Sequence, residues 1–70
     1  MARYNGHPTY AHWNAALWFG NDEALYRLAR GCPSPAQLQA HCEDAGFTET
    51  PDGVKLTPAL YRYAWKSVRE

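Results

Sequence analysis

Neither sign of charge is in excess in this 70-residue chain: seven Lys and Arg balance seven Asp and Glu, for a formal net charge of zero. A general nucleic-acid binder is usually basic and a whole-protein DNA mimic strongly acidic, so only local patches are left to support either reading. Cysteine is nearly absent. The two present, Cys32 and Cys42, are expected as free thiols in a reducing compartment, with Cys42 behaving as a small buried hydrophobe. Together with His7, His12 and His41 they form no CxxC or HxxxH pair of the kind zinc sites use, so no metal and no cofactor is expected. No apolar run approaches the length of a membrane span. Residues 1–7 lack the charged-then-apolar order of a signal peptide. The expected location is the cytoplasm of a host cell, with no membrane partner. Catalytic motifs are missing too: there is no GxSxG, no phosphate-cradling glycine loop and no HExxH. Ser34 and Ser67 read as a helix cap and a late-helix surface residue. Cys42 follows His41, and Glu43 precedes Asp44, but neighbours on a helix point about 100° apart and do not face each other as nucleophile and base. A non-enzyme is expected.

What is abundant is aromatic surface. The chain is 46% hydrophobic and 14% aromatic, and each large ring can bury roughly 150–250 Å². That offsets the thin stability margin of so short a chain, which makes one domain over residues 1–70. The richest stretch is residues 9–22, TYAHWNAALWFGND, with two of the three tryptophans.

Residues 1–8 show no periodicity. Asn5-Gly6 and His7-Pro8 are turn chemistry, so this segment reads as an irregular arm anchored by Tyr4. Thr9 suits the N-cap of a helix over 10–19, closed by Gly20 in a left-handed conformation. On that helix Tyr10, Trp13, Ala16 and Leu17 share one face, with Tyr10, Trp13 and Leu17 expected to build the core. Ala11, Ala15 and Trp18 form a second face, beside Phe19, and Asn14 reads as a satisfied structural hydrogen-bonder. A helix that is apolar nearly all round is usually central, and in so small a protein one side is left for a partner. Asn21 is the expected cap of a second helix over 22–30, with Ala24, Leu25, Leu28 and Ala29 inward. Glu23 and Arg27 form an i,i+4 pair on its wet face. Ser34-Pro35-Ala36-Gln37 opens a third helix to Ala45. Its narrow apolar face of Leu38, Cys42 and Ala45 implies a surface position. Pro51-Asp52-Gly53, between Phe47–Thr50 and Val54–Leu56, predicts a short two-stranded hairpin. Thr57-Pro58 starts a last helix over 58–69, with Leu60, Tyr61, Ala64, Trp65 and Val68 inward. The fold expected is a mainly α single domain: about four helices packed around the first and last, with a short β-hairpin before the last.

Two charged features and a few aromatics are the candidate binding residues. Arg62, Lys66 and Arg69 recur along the last helix as a basic ridge, and Tyr63 falls off its apolar stripe. With Trp18 they are the expected partner-binding residues, because interfaces favour Trp, Tyr and Arg as anchors. Glu43, Asp44, Glu49 and Asp52 form an alternative acidic patch if the hairpin folds back on the third helix.

Tyr4-Asn5-Gly6, Thr9, Trp13-Asn14, Ala16-Leu17-Trp18, Asn21-Asp22-Glu23 and Leu25-Tyr26 resemble a family of short uncharacterised proteins. Its members are common in phages and mobile elements and carry an N-terminal YNG…T…W…LW…NDE.LY pattern. The similarity covers Tyr4–Ala29. It supplies no catalytic residues. It implies a small protein that binds and inhibits a host defence complex by stoichiometric contact, in the manner of an anti-CRISPR protein on a CRISPR effector subunit. The alternatives are a small nucleic-acid-binding regulator using the basic last helix, or a virion structural or assembly protein.

Overall fold

An oxygen-bearing side chain starts every helix. In the computed structural model, which describes residues 5–70, α1 runs Tyr10–Asn21, α2 Glu23–Gly31, α3 Pro35–Asp44 and α4 Pro58–Ser67. Thr9 Oγ1 accepts from His12 N, Asp22 Oδ1 from Leu25 N, Ser34 Oγ from Gln37 N and Thr57 Oγ1 from Leu60 N. Each bond satisfies a backbone N–H that the helix itself leaves open. Proline at the start of α3 and α4 adds a preset φ where no N–H is needed. The expectation of an arm anchored by Tyr4 lies outside the described residues.

The α1–α2 junction is tighter than the sequence implies. Gly20 does not close α1: it is helical, and the helix continues through Asn21. The cap of α2 is Asp22, not Asn21, and Asp22 N–H also donates to Trp18 O at 3.0 Å. One residue thus ends α1 with its backbone and begins α2 with its carboxylate. The left-handed positions are elsewhere, among them Asn5 (φ +50°) and Gly6 (φ +86°) in the turn the sequence predicts there. Gly46 (φ +81°) follows α3, and Gly53 (φ +89°) turns the hairpin, both conformations that side chains resist.

The hairpin is reduced to its minimum. Glu49 and Lys55 form a single antiparallel bridge. Thr50 N donates to Val54 O at 2.8 Å and Leu56 N to Thr48 O at 2.9 Å. A two-stranded ribbon has little stability alone, so its place depends on what it packs against.

The core gathers around α4, which packs on both α1 and α3, while α2 folds against α1 and touches α4. Phe19, Ala29, Cys32, Leu38, Cys42, Tyr61, Ala64 and Val68 fill it, backed by half-buried Leu25, Leu28, Phe47, Leu56 and Trp65. Phe19 and Phe47 meet edge to face with centroids 5.9 Å apart, and the Tyr61 hydroxyl donates to Phe47 O at 2.9 Å. α3 rides on the surface with a narrow inner face, as its sequence implies: Leu38 and Cys42 are fully buried, its other residues are exposed or half-buried, and Ala45, expected on that face, is exposed. Ala24, expected inward, is also exposed. Both alanines are small enough that leaving them out of the core loses little apolar burial.

Burial pushes the Cys42 thiol up to about 11, with Cys32 and Glu43 adding to it. An unfolded thiol ionises near 8.5. Between those values the unfolded chain releases a proton that the folded chain retains, so stability falls as pH rises through this window. Urea midpoints measured at about pH 8 and about pH 10 should show that loss, and Cys42→Ala should shrink it. A midpoint independent of pH in the parent protein would contradict the burial of this thiol.

Candidate protein-binding surface

The orientation of α1 decides what the molecule shows to a partner. Its composition barely distinguishes one side from another, and the expected core face of Tyr10, Trp13 and Leu17 is not the face that is buried. Asn14, Ala15 and Phe19 are buried instead. The cause is polar. Asn14 accepts from the Thr50 hydroxyl at 2.6 Å through Oδ1 and donates from Nδ2 to Asp52 Oδ2 at 2.8 Å. The same Thr50 oxygen accepts from Val54 N at 3.1 Å, and the same Asp52 oxygen accepts from Trp18 Nε1 at 2.9 Å. Five groups on α1 and the hairpin are joined in one chain of hydrogen bonds around a fully buried amide. Burying Asn14 without these partners would be costly, so the hairpin fixes the rotation of α1 about its axis. The two donors from Asn14 and Trp18 hold the Asp52 carboxyl below its ordinary range. The second expected face, Ala11, Ala15 and Trp18, therefore faces the protein rather than a partner, with Trp18 half-buried.

The Tyr10, Trp13 and Leu17 side of α1 lies outside the core. Tyr10 is 44% exposed, and Trp13 and Leu17, one and two turns on, are half-buried and outside the core. The Tyr10 and Trp13 rings lie 5.7 Å apart, tilted by 40°. Gly20 extends this side with open space above its Cα, and Leu17, Trp18, Asn21 and Asp22 line a shallow groove of about 350 Å³ at its end. The first turn of α1 carries no acidic residue and its last turn no basic one. The result is an uncharged aromatic stripe on a rigid helix, the composition that interface cores favour.

The residues expected to meet a partner divide. Arg62 and Lys66 are exposed on α4. Arg69 leaves the ridge: its guanidinium stacks 3.8 Å above the Trp65 ring and bonds carbonyls of Trp65, Arg30 and Cys32. Tyr63 is half-buried rather than free. Its hydroxyl lies 2.6 Å from His7 Nδ1, and the His12 ring stands edge-on to it at 4.7 Å. The acidic group is split in function as well. Asp52 is bonded to α1, Glu43 accepts from Gln39 within α3 at 3.0 Å, Glu49 pairs its backbone with Lys55, and Asp44 is exposed. Sequence reasoning placed Tyr10, Trp13 and Leu17 in the core, whereas Tyr10 is exposed and Trp13 and Leu17 are half-buried outside it. One signal for them was present: a lone asparagine in an apolar helix marks the side that has a polar partner inside.

Residues 1–57 match the family of unknown function DUF7249. The chain belongs to that family. The match takes in α1, α2, α3 and the hairpin, well beyond the Tyr4–Ala29 resemblance, and stops at Thr57, the cap of α4. This DUF7249 member thus keeps its Asn14–Thr50–Asp52 connection and its α1 stripe wholly within the matched stretch. No curated protein and no solved structure matches the chain. Among the described residues no cluster of three metal-ligating side chains occurs and no helix is long and apolar enough to cross a membrane.

Proposed function

We propose that this DUF7249 chain is a non-enzymatic protein-binding module whose contact surface is the Tyr10–Trp13–Leu17 stripe of α1. The observation that supports it is the rotation of α1: this aromatic helix gives Asn14, Ala15 and Phe19 to the interior and leaves Tyr10 exposed and Trp13 half-buried outside the core. Rigid aromatic anchors lose little side-chain freedom on binding and dominate many interfaces. The resemblance to short phage and mobile-element proteins supplies the partner class, a host defence complex such as a CRISPR effector, inhibited by stoichiometric occupation. That step is an argument by association and not by geometry. The nucleic-acid alternative retains only Arg62 and Lys66 of its basic ridge.

The test is a cell with active CRISPR interference or restriction in which the chain is expressed. Phage plating should recover, and the effector should copurify with the chain at a fixed ratio. Trp13→Ala should weaken that complex about 30-fold or more, the size of an interface hot spot, while the helical circular dichroism stays that of the parent. No protection and no complex with any defence subunit would sink the inhibitor reading. Unchanged affinity in Trp13→Ala would remove the stripe from it.

A further inference from the structure

The fold builds one charged corner that the α1 contact does not use. It lies where α2 and α4 end. Arg30 Nη1 donates to Val68 O at 3.1 Å. Arg69 Nη2 donates to Arg30 O at 3.2 Å and Cys32 O at 2.7 Å, and its Nη1 donates to Trp65 O at 2.8 Å. Each arginine is therefore held by a carbonyl at or beside the other, although they stand 39 residues apart in the chain. Each guanidinium also lies over a ring, Arg30 at 5.9 Å from the Tyr26 centroid and Arg69 at 3.8 Å from that of Trp65. These contacts set the orientation of both side chains before any ligand arrives.

Two like charges drawn to one corner repel unless an anion meets them. Among the described residues neither guanidinium has a carboxylate within ion-pair distance, the single such pair being Arg27 with Glu23. Both side chains are exposed. A guanidinium carries five N–H donors, and the carbonyl bonds engage one nitrogen of Arg30 and two of Arg69. Donors and charge are both left over.

We propose that this corner is a carboxylate-binding site, in which Arg30 and Arg69 together grip an acidic segment of a partner protein. Arg30, whose carbonyl bond uses Nη1 alone, keeps its Nε and Nη2 edge to grip a carboxylate in a bidentate fashion. Arg69, whose Nη2 serves two carbonyls and whose Nη1 serves a third, adds its charge and Nε–H. Side chains already fixed in place lose little freedom on binding. A protein carboxylate fits better than a nucleic-acid backbone. Glu23 occupies Arg27, and Glu70 follows Arg69, so the basic surface does not continue as the track of cations that a run of phosphates requires. The site goes beyond the α1 contact and stands on separate residues.

The experiment is a titration of the isotope-labelled full chain, followed by nuclear magnetic resonance, with an end-capped tetraglutamate peptide and with tetraglutamine as its neutral counterpart. Tetraglutamate should produce saturable shifts in the Trp65 indole N–H and the Arg69 Nε–H, and tetraglutamine should not. Arg30→Lys keeps the charge and a donor for the Val68 carbonyl but loses the fork. It should weaken binding about tenfold, the loss expected for one charge-assisted hydrogen bond. Lys55→Gln, which removes a charge on the hairpin, should leave the affinity unchanged. Absence of saturation, equal shifts from tetraglutamine, or parent affinity in Arg30→Lys at an unaltered melting temperature would each overturn the proposal. So would a tighter response to a short single-stranded DNA that is abolished by Arg62→Gln. No host protein enters the measurement, so its failure leaves the α1 reading standing, and the converse also holds.

Discussion

Phe19→Ala should destabilise the protein by about 3–5 kcal/mol, the range for removing a buried phenylalanine from a packed core. Phe19 is fully buried and stands edge-on to Phe47, so the substitution empties a volume bounded by a helix on one side and the base of the hairpin on the other. A domain of this length has a total stability of only about 4–10 kcal/mol on general grounds. The variant should therefore sit near its own unfolding midpoint at physiological temperature. Urea denaturation measures the effect: the midpoint should drop steeply while the dependence on denaturant keeps its slope. A loss under about 1 kcal/mol would mean that this position collapses without cost and that the core is centred elsewhere.

Asn14→Ala should cost about 2–3 kcal/mol for a different reason. The substitution leaves the Thr50 hydroxyl without its acceptor at 2.6 Å and takes one of two donors from Asp52. The amide is fully buried, so water does not replace it freely. The diagnostic result is in the double variant. Thr50→Val removes the orphaned hydroxyl, so Asn14→Ala with Thr50→Val should be less destabilised than the sum of the two single changes. Strict additivity would show that the two side chains do not act as a unit. The hairpin amides should also exchange faster with solvent in Asn14→Ala, since the hairpin has one bridge of its own and depends on this connection.

The comparison of sequence with structure separates local from non-local information. Helix starts were legible because a cap is a contact between residues three apart: Thr9, Ser34 and Thr57 act as their neighbours predict. The last helix was legible because its apolar residues fall on one side, and Leu60, Tyr61, Ala64 and Val68 are all buried. That the chain belongs to an uncharacterised family was legible in the N-terminal third, and a family of unknown function matches residues 1–57. What failed was rotation. A helix apolar on every side does not announce which face turns in, and the deciding contacts, from Asn14 and Trp18 to Thr50 and Asp52, span 34 to 38 residues. The same holds for Arg69. Its spacing with Arg62 and Lys66 suggested a ridge, but the helix ends at Ser67, and beyond that end the arginine folds over Trp65 toward α2. Gly20 misled for a related reason: glycine permits a left-handed stop without enforcing one.

The pairing of α1 with α4 also governs how the chain comes into being. Phe19, Leu38 and Cys42 share their interior with Tyr61, Ala64 and Val68, so three quarters of the helices exist as polypeptide before the surface that shelters them does. A nascent chain that has reached Thr57 holds α2 against α1 and the hairpin residues that bond Asn14 and Trp18, but not Tyr61, Ala64 and Val68, which complete the interior of Phe19, Leu38 and Cys42. Full burial of that interior comes only with the last helix, and until then its apolar side chains are available to chaperones and to other growing chains.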